Sequence, residues 1–327
     1  MLAVAASTPP DDWSTKDLST YGDVSEYAQT RAVCARLIHA APPSTDRPSS
    51  DERKALKGCD SEALYYGIGV TVDTEKARKC AVIQWQQGEN ENLNYFFAEG
   101  MLMTIYANGR GARRNLDVAI HMACQLEDAP AATDGRIKRL LELKEAATGD
   151  DFSPCDDATS GISSGFCAEH AALLGKQDRA RRIHVLARSW TPQQRLLFDR
   201  AYRSFGDYAG TAHEMDCWRG TLQSACTISG TETDVERFLK RIEILSRGSL
   251  PPKDAPPEDA GFNAATNAAA TKESMADVDK DDRAWYETNA KATIAARRTF
   301  ERNLVGFAAV AFPRLSSHRI RQIFSDL

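Results

Sequence analysis

The chain has 327 residues, 42% of them apolar, and a net charge of −5 from 41 Lys and Arg against 46 Asp and Glu. That length suffices for two modest domains or one helical array with a buried core. Scattered basic residues point away from nucleic acid, and the longest apolar run, 304–312, is too short to span a bilayer.

The chain opens MLAVAAS, and Ala3-Val4-Ala5 has the small-x-small form of the end of a secretory signal. Residues 1–24 are therefore expected to be a leader remnant or a flexible tail. The chain has eight cysteines, an even number, and none lie in a C-x-x-C. This favours disulfides over structural zinc and places the chain in an oxidising compartment, periplasmic or secreted.

The first predicted helix starts near Ser25 as its cap and turns Tyr27, Cys34, Leu37 and Ile38 inward. A Pro/Ser loop at 42–50 separates this helix from a repeated pattern. Residues 64–81 read LYYGIGVTVDTEKARKCA, and their pattern returns at 106–123. Gly67 and Gly69 match Gly109 and Gly111, Asp73 matches Asn115, Ala77 matches Ala119 and Ala81 matches Ala123, all offset by 42 residues. Glycines before a basic stretch and a helix can suggest a phosphate cradle, but the preceding strand and the Lys-Ser/Thr of a P-loop are missing. They are read instead as hairpin bends, with Asp73 or Asn115 capping the second helix and alanines letting the two helices approach. An aromatic, G-x-G, a capping Asp or Asn and helically spaced Ala resemble the SEL-like repeat, a relative of the tetratricopeptide repeat. The two copies cover roughly residues 59–124.

Cys59 lies eight residues before Gly67, and Cys80 seven after Asp73. At about 1.5 Å rise per residue these offsets are about 12 and 10.5 Å along antiparallel helices, so the two sulfurs come level. A Cys59–Cys80 bond is expected. Met122 stands where a second such cysteine would fall. Residues 155–168 read CDDATSGISSGFCA, a loop for Cys155–Cys167 to close. Cys217–Cys226 is the other local pair, and Cys34–Cys124 remains by elimination.

Thr191-Pro192-Gln193-Gln194 forms a capping box with Pro at the first helical position. The stripe Leu197, Ala201, Phe205, Tyr208, Ala212 and Met215 comes after it, and Val235, Phe238, Leu239 and Ile242 mark another helix. A long helical segment spans about 281–312 and stops at Pro313. Arg179, Arg181 and Arg182 read as a solvated helix face, Trp85 and Trp285 as core. The fold class is all-α.

The Cys-x11-Cys loop heading a Cys-Ala helix, HEMDCWRGT at 213–221, GFNAATNAA at 261–269 and the tail ARRTFERNLVGFAAVAFP resemble the LprI-like lysozyme-inhibitor family, including members that carry SEL-like repeats. Phe262 replaces a usual Leu, and Asn303 stands where a Tyr is usual. The resemblance implies SEL-like helical hairpins over 25–147, then a disulfide-containing helical LprI-like domain over 148–327.

No catalytic constellation assembles. His213 and Glu214 are helix neighbours about 100° apart, HEMDC lacks the second His of a zincin, and Cys217 has a partner in Cys226. His39, His121, His170, His184 and His318 stand isolated. Two groups are candidates for a protein partner. Asp150, Asp151, Asp156 and Asp157 surround the disulfide-pinned loop and suit a basic cleft. Trp218 and Arg219 are residue types enriched at binding hot spots. The resemblance implies an exported inhibitor or immunity protein that occludes a lysozyme-like cell-wall hydrolase, with no cofactor or metal. The alternatives are an immunity protein against a secreted phospholipase or other envelope toxin, and a non-inhibitory envelope scaffold.

Overall fold

The computed structural model describes residues 12–21, 23–88, 94–146, 151–218, 220–250, 280–325 and 327. These contain twelve α-helices and no strand. The chain divides into two compact units, 1–174 and 175–327, with the division inside one helix.

The first unit holds α1 (Ala28–Leu37), α2 (Ser50–Ala55), α3 (Ser61–Tyr66), α4 (Thr74–Gln87), α5 (Ala98–Asn108), α6 (Leu116–Gln125), α7 (Pro130–Ala146) and the start of α8 (Gly161–Leu186). The sequence repeat becomes two helical hairpins, α3–α4 and α5–α6. Gly67 and Gly109 end the first helix of each in the left-handed region, at φ 77° and 67°. Asp73 and Asn115 accept the backbone N–H of Lys76 and Val118, at 3.0 and 3.2 Å. The Asp73 N–H donates to the Leu64 carbonyl at 2.9 Å, and the equivalent Asn115 N–H donates to Tyr106 at 3.0 Å. The same four positions thus make the same bonds twice. Helix α5 is mostly apolar and is buried from Ala98 to Ala107, Glu99 and Thr104 included, which fits a central helix between α4 and α6.

Two of this unit's three disulfides staple its helical hairpins. Cys59 joins Cys80 across the first hairpin, and Cys34 of α1 joins Cys124 of α6, each with Cα atoms about 6 Å apart. The second hairpin therefore lacks an internal staple but is tied to α1. The loop 42–50 does more than separate. Asp46 receives Arg78 of α4 at 3.1 Å and the Tyr106 hydroxyl of α5 at 2.9 Å, joining the two hairpins from outside.

Several expectations change near the N-terminus. Asp12, Trp13 and Leu18, expected in a leader remnant or tail, are buried instead. Trp13 is 1% exposed, its indole N–H donates to Thr30 Oγ1 at 3.1 Å, and its backbone N–H donates to the Cys124 carbonyl. Ser25 does not cap α1; its N–H is taken by Asp23 and opens a 3-10 turn that runs into the helix. Ile38 is 41% exposed because α1 ends at Leu37, before the inward stripe reaches it. Past residue 147 the first unit continues, since Phe152 is buried in its core and Cys155, Ala158 and Cys167 pack against it.

The second unit comprises the remainder of α8, α9 (Pro192–Asp216), α10 (Gln223–Ser246), α11 (Lys280–Ala311) and α12 (Ser317–Ile323). Thr191 and Gln194 form the expected capping box, with Pro192 at the first position. Helix α9 runs antiparallel to α11: Gln194 reaches the Val310 carbonyl, Asn303 reaches Ser204 Oγ at 3.0 Å, and Thr293 reaches the Thr211 carbonyl. It also runs antiparallel to α10, with Phe205 stacked on Phe238 and His213 against Asp234. Phe205, Phe238 and Phe300 form the aromatic centre, with centroids 4.8–5.8 Å apart. Such contacts contribute about 1 kcal/mol each beyond area burial. The Arg179, Arg181 and Arg182 stretch is not a solvated face throughout. Arg179 is 4% exposed and pairs with Glu232, while Arg182 binds Glu236 at 2.8 Å and Glu243 at 2.9 Å; only Arg181 is exposed.

Candidate functional site

The acidic loop is held by the chain around it. Asn108, the last residue of α5, donates from Nδ2 to the Phe152 carbonyl at 2.9 Å and accepts the Phe152 N–H on Oδ1 at 2.6 Å. One side chain thus imitates a strand partner and leaves the loop backbone satisfied. Cys155–Cys167 ties the middle of the loop to α8. Ser160 and Ser163 exchange backbone-to-hydroxyl hydrogen bonds at the start of that helix. The Ser160 hydroxyl also donates to Asp128 at 3.1 Å.

Asp128 is the hub beneath the loop. It pairs with Arg136 at 3.2 Å, accepts the Tyr95 hydroxyl and takes the Ala129 N–H. Arg136 is fully buried, with its guanidinium carbon 4.6 Å from the Tyr95 ring centroid. Interaction with a ring face lowers the cost of burying that cation.

The four candidate aspartates separate in role. Asp151 and Asp156 are exposed, and Asp150 lies outside the described residues. Asp157 is half-buried and turns inward: its Oδ1 stands 3.0 Å from where a β-carbon on Gly135 would sit, and its buried Oδ2 has no hydrogen-bond partner. Burial pushes its carboxyl above the ordinary value, with the Arg136 charge opposing. Asp157 therefore belongs to the seat of the loop, while Asp151 and Asp156 stay at the surface.

In the second unit, Cys217–Cys226 closes the turn between α9 and α10. Trp218, on that turn, stacks on Trp285 of α11 with centroids 5.7 Å apart and planes 13° apart, and meets Tyr286 edge-on at 6.2 Å. All three rings are half-exposed and stand outside the unit's buried core. Trp285 therefore departs from its expected core position and joins this surface stack, because it sits near the start of α11, beyond the aromatic centre at Phe300. Trp85 packs partly buried on the first core, its N–H on Gln125. Arg219 lies outside the described residues.

Of the histidines expected to stand isolated, His170 does not, and His213 also has a partner. His213 Nε2 meets Asp234 at 2.9 Å, its ring packed so tightly on Gly230 that a β-carbon there would overlap it. His170 meets Glu62 at 2.5 Å and stacks on Phe96 at 3.8 Å. The sequence carries no signal for the His170 contact, since its partner is 108 residues away. Among the described residues no group of three His, Cys, Asp or Glu is placed to hold a metal ion. The chain matches no protein-family model, no curated protein and no solved structure.

Proposed function

We propose that the chain is an exported binding protein, an inhibitor or immunity protein that fills the cleft of a lysozyme-like cell-wall hydrolase. The observation that carries this reading is the held loop. Asn108 and the Cys155–Cys167 bond restrain it, while Asp151 and Asp156 stay exposed. A restrained loop loses less entropy on binding. Residues 1–174 carry 17 Lys and Arg against 26 Asp and Glu, a net −9 that steers a basic cleft toward this unit. Four disulfides among the described residues support an oxidising compartment. The half-exposed Trp218–Trp285 pair gives the second unit a contact area of its own.

The test is inhibition. Purified chain is mixed with a basic muramidase acting on cell-wall fragments and, separately, with a phospholipase. Slowed cell-wall lysis, relieved by D151N/D156N, is the expected result. Unaffected lysis with no complex on a sizing column overturns the reading, and inhibition of the phospholipase alone moves the target to an envelope lipase.

A further inference from the structure

The second unit is a bundle whose two ends differ in charge. Five helix termini meet at one end. The ends of α8 and α10 are placed there by Arg182, which binds Glu243 near the end of α10. The start of α9 and the end of α11 are joined by Gln194 and Val310. Helix α12 begins a few residues past α11 and returns, with Phe324 5.4 Å from Phe238. Residues 184–198, 244–250 and 305–325 supply this end. They contain six arginines, two histidines and no Asp or Glu; of the acidic residues that adjoin them in the chain, Asp199, Glu243 and Asp326, the first two are paired with Arg203 and Arg182. The arginines, Arg188, Arg195, Arg247, Arg314, Arg319 and Arg321, are all exposed, and none has an ion-pair partner among the described residues.

Helix stabilisation accounts for only part of this. Arg188, Arg247 and Arg314 lie just past the ends of α8, α10 and α11, where a cation complements the helix dipole. Arg195 and Arg319 lie in the first turns of α9 and α12, after the caps Thr191 and Ser316. There the dipole opposes a cation, and no acidic residue offsets it. Exposed apolar side chains are mixed among the cations: Val185 at 61%, Leu196 at 52% and Leu250 at 52% exposure.

We infer that this end of the second unit docks on an anionic lipid bilayer surface. Arginine heads meet the phosphates, while Val185, Leu196 and Leu250 reach the level of the acyl boundary. A polyanion such as nucleic acid would use the cations and leave the three apolar side chains idle, so the mixture favours lipid. The inference is independent of any hydrolase.

The experiment is vesicle co-sedimentation of the full chain with phosphatidylglycerol–phosphatidylcholine vesicles and with phosphatidylcholine alone. Binding is expected to the anionic vesicles only and to weaken as salt is raised. Each arginine near the surface is worth about five-fold in partitioning, so R195Q/R319Q should lose roughly 25-fold. That variant removes two charges that the helix dipoles oppose, so its melting temperature should hold or rise. L196S should weaken vesicle binding and leave binding to a DNA duplex unchanged. Wild-type partitioning by R195Q/R319Q, equal binding to neutral vesicles, or binding to the duplex without binding to vesicles each overturns the inference.

Discussion

Gly111 lies so close to Thr74 that a β-carbon on it would stand 2.2 Å from the Thr74 carbonyl oxygen. Its sequence equivalent in the first hairpin, Gly69, has nothing within 4 Å of the same point. Both have positive φ, 93° and 71°. The turn of the second hairpin rests on the start of α4, and Arg78 reinforces the contact through the Gly111 carbonyl at 2.8 Å. Gly69→Ala should cost only the left-handed backbone penalty, about 1 kcal/mol. Gly111→Ala adds a backbone overlap and should cost at least about 2 kcal/mol more. Urea unfolding of the two variants checks the order, and equal losses would remove the hairpin-on-hairpin contact.

The two disulfides that staple the hairpins of the first unit should differ in value. Cys59–Cys80 closes 21 residues and Cys34–Cys124 closes 90. Restriction of the denatured chain predicts about 3 kcal/mol for the shorter loop and about 4.6 kcal/mol for the longer. Paired Cys→Ala variants should therefore melt in that order. A greater loss on removing Cys59–Cys80 would show that native packing, not loop length, sets the value of these bonds.

Association with a basic target should respond to Asp151 and Asp156 and ignore Asp157. D151N/D156N should slow the association rate several-fold at low salt, and the difference should shrink as exposed charges are screened over about 8–10 Å near physiological ionic strength. D157N should associate as wild type does. Stopped-flow association at two ionic strengths distinguishes these outcomes, and a slow D157N would place that carboxylate in the interface.

Asp157 has its own signature in pH. Its native carboxyl lies above the ordinary value, so the folded state holds the proton more tightly than the unfolded chain. The stabilising contribution is complete below the unfolded value, about 4, and is lost as pH rises through the native one. At neutral pH the charge is half-buried with one oxygen lacking a hydrogen-bond partner. D157N should flatten this loss and raise stability at neutral pH relative to wild type. Denaturant midpoints measured from acid to neutral pH give the answer, and parallel curves for the two proteins would assign the dependence elsewhere.

The Trp218–Trp285 stack should matter little to folding. Trp285→Ala removes a half-exposed stack worth about 0.5–1.5 kcal/mol beyond its buried area. Phe307→Ala, at a fully buried position of the same unit, should cost about 3–5 kcal/mol. Chemical denaturation compares them, and a Trp285→Ala loss as large as that of Phe307→Ala would make the stack part of the core.

What the sequence alone determined is local. The 42-residue period places two bends, their left-handed glycines and the caps Asp73 and Asn115, because each is decided within about ten residues of chain. The Cys59–Cys80 bond is legible for the same reason: both cysteines belong to one hairpin, and helical rise alone brings them level. The all-α class comes from apolar spacing. The tertiary structure decided everything that depends on distant partners. Trp13 is buried because Thr30 and the Cys124 backbone receive it, and no periodicity surrounds Trp13 to announce that. Arg182 leaves solvent because Glu236 and Glu243 lie one helix away, and Trp285 leaves the core for a ring 67 residues earlier. Among four similar aspartates, only packing on Gly135 beside Arg136 turns Asp157 inward. Local patterns choose helices and bends; which face of each meets which other is a long-range packing choice that one sequence does not state.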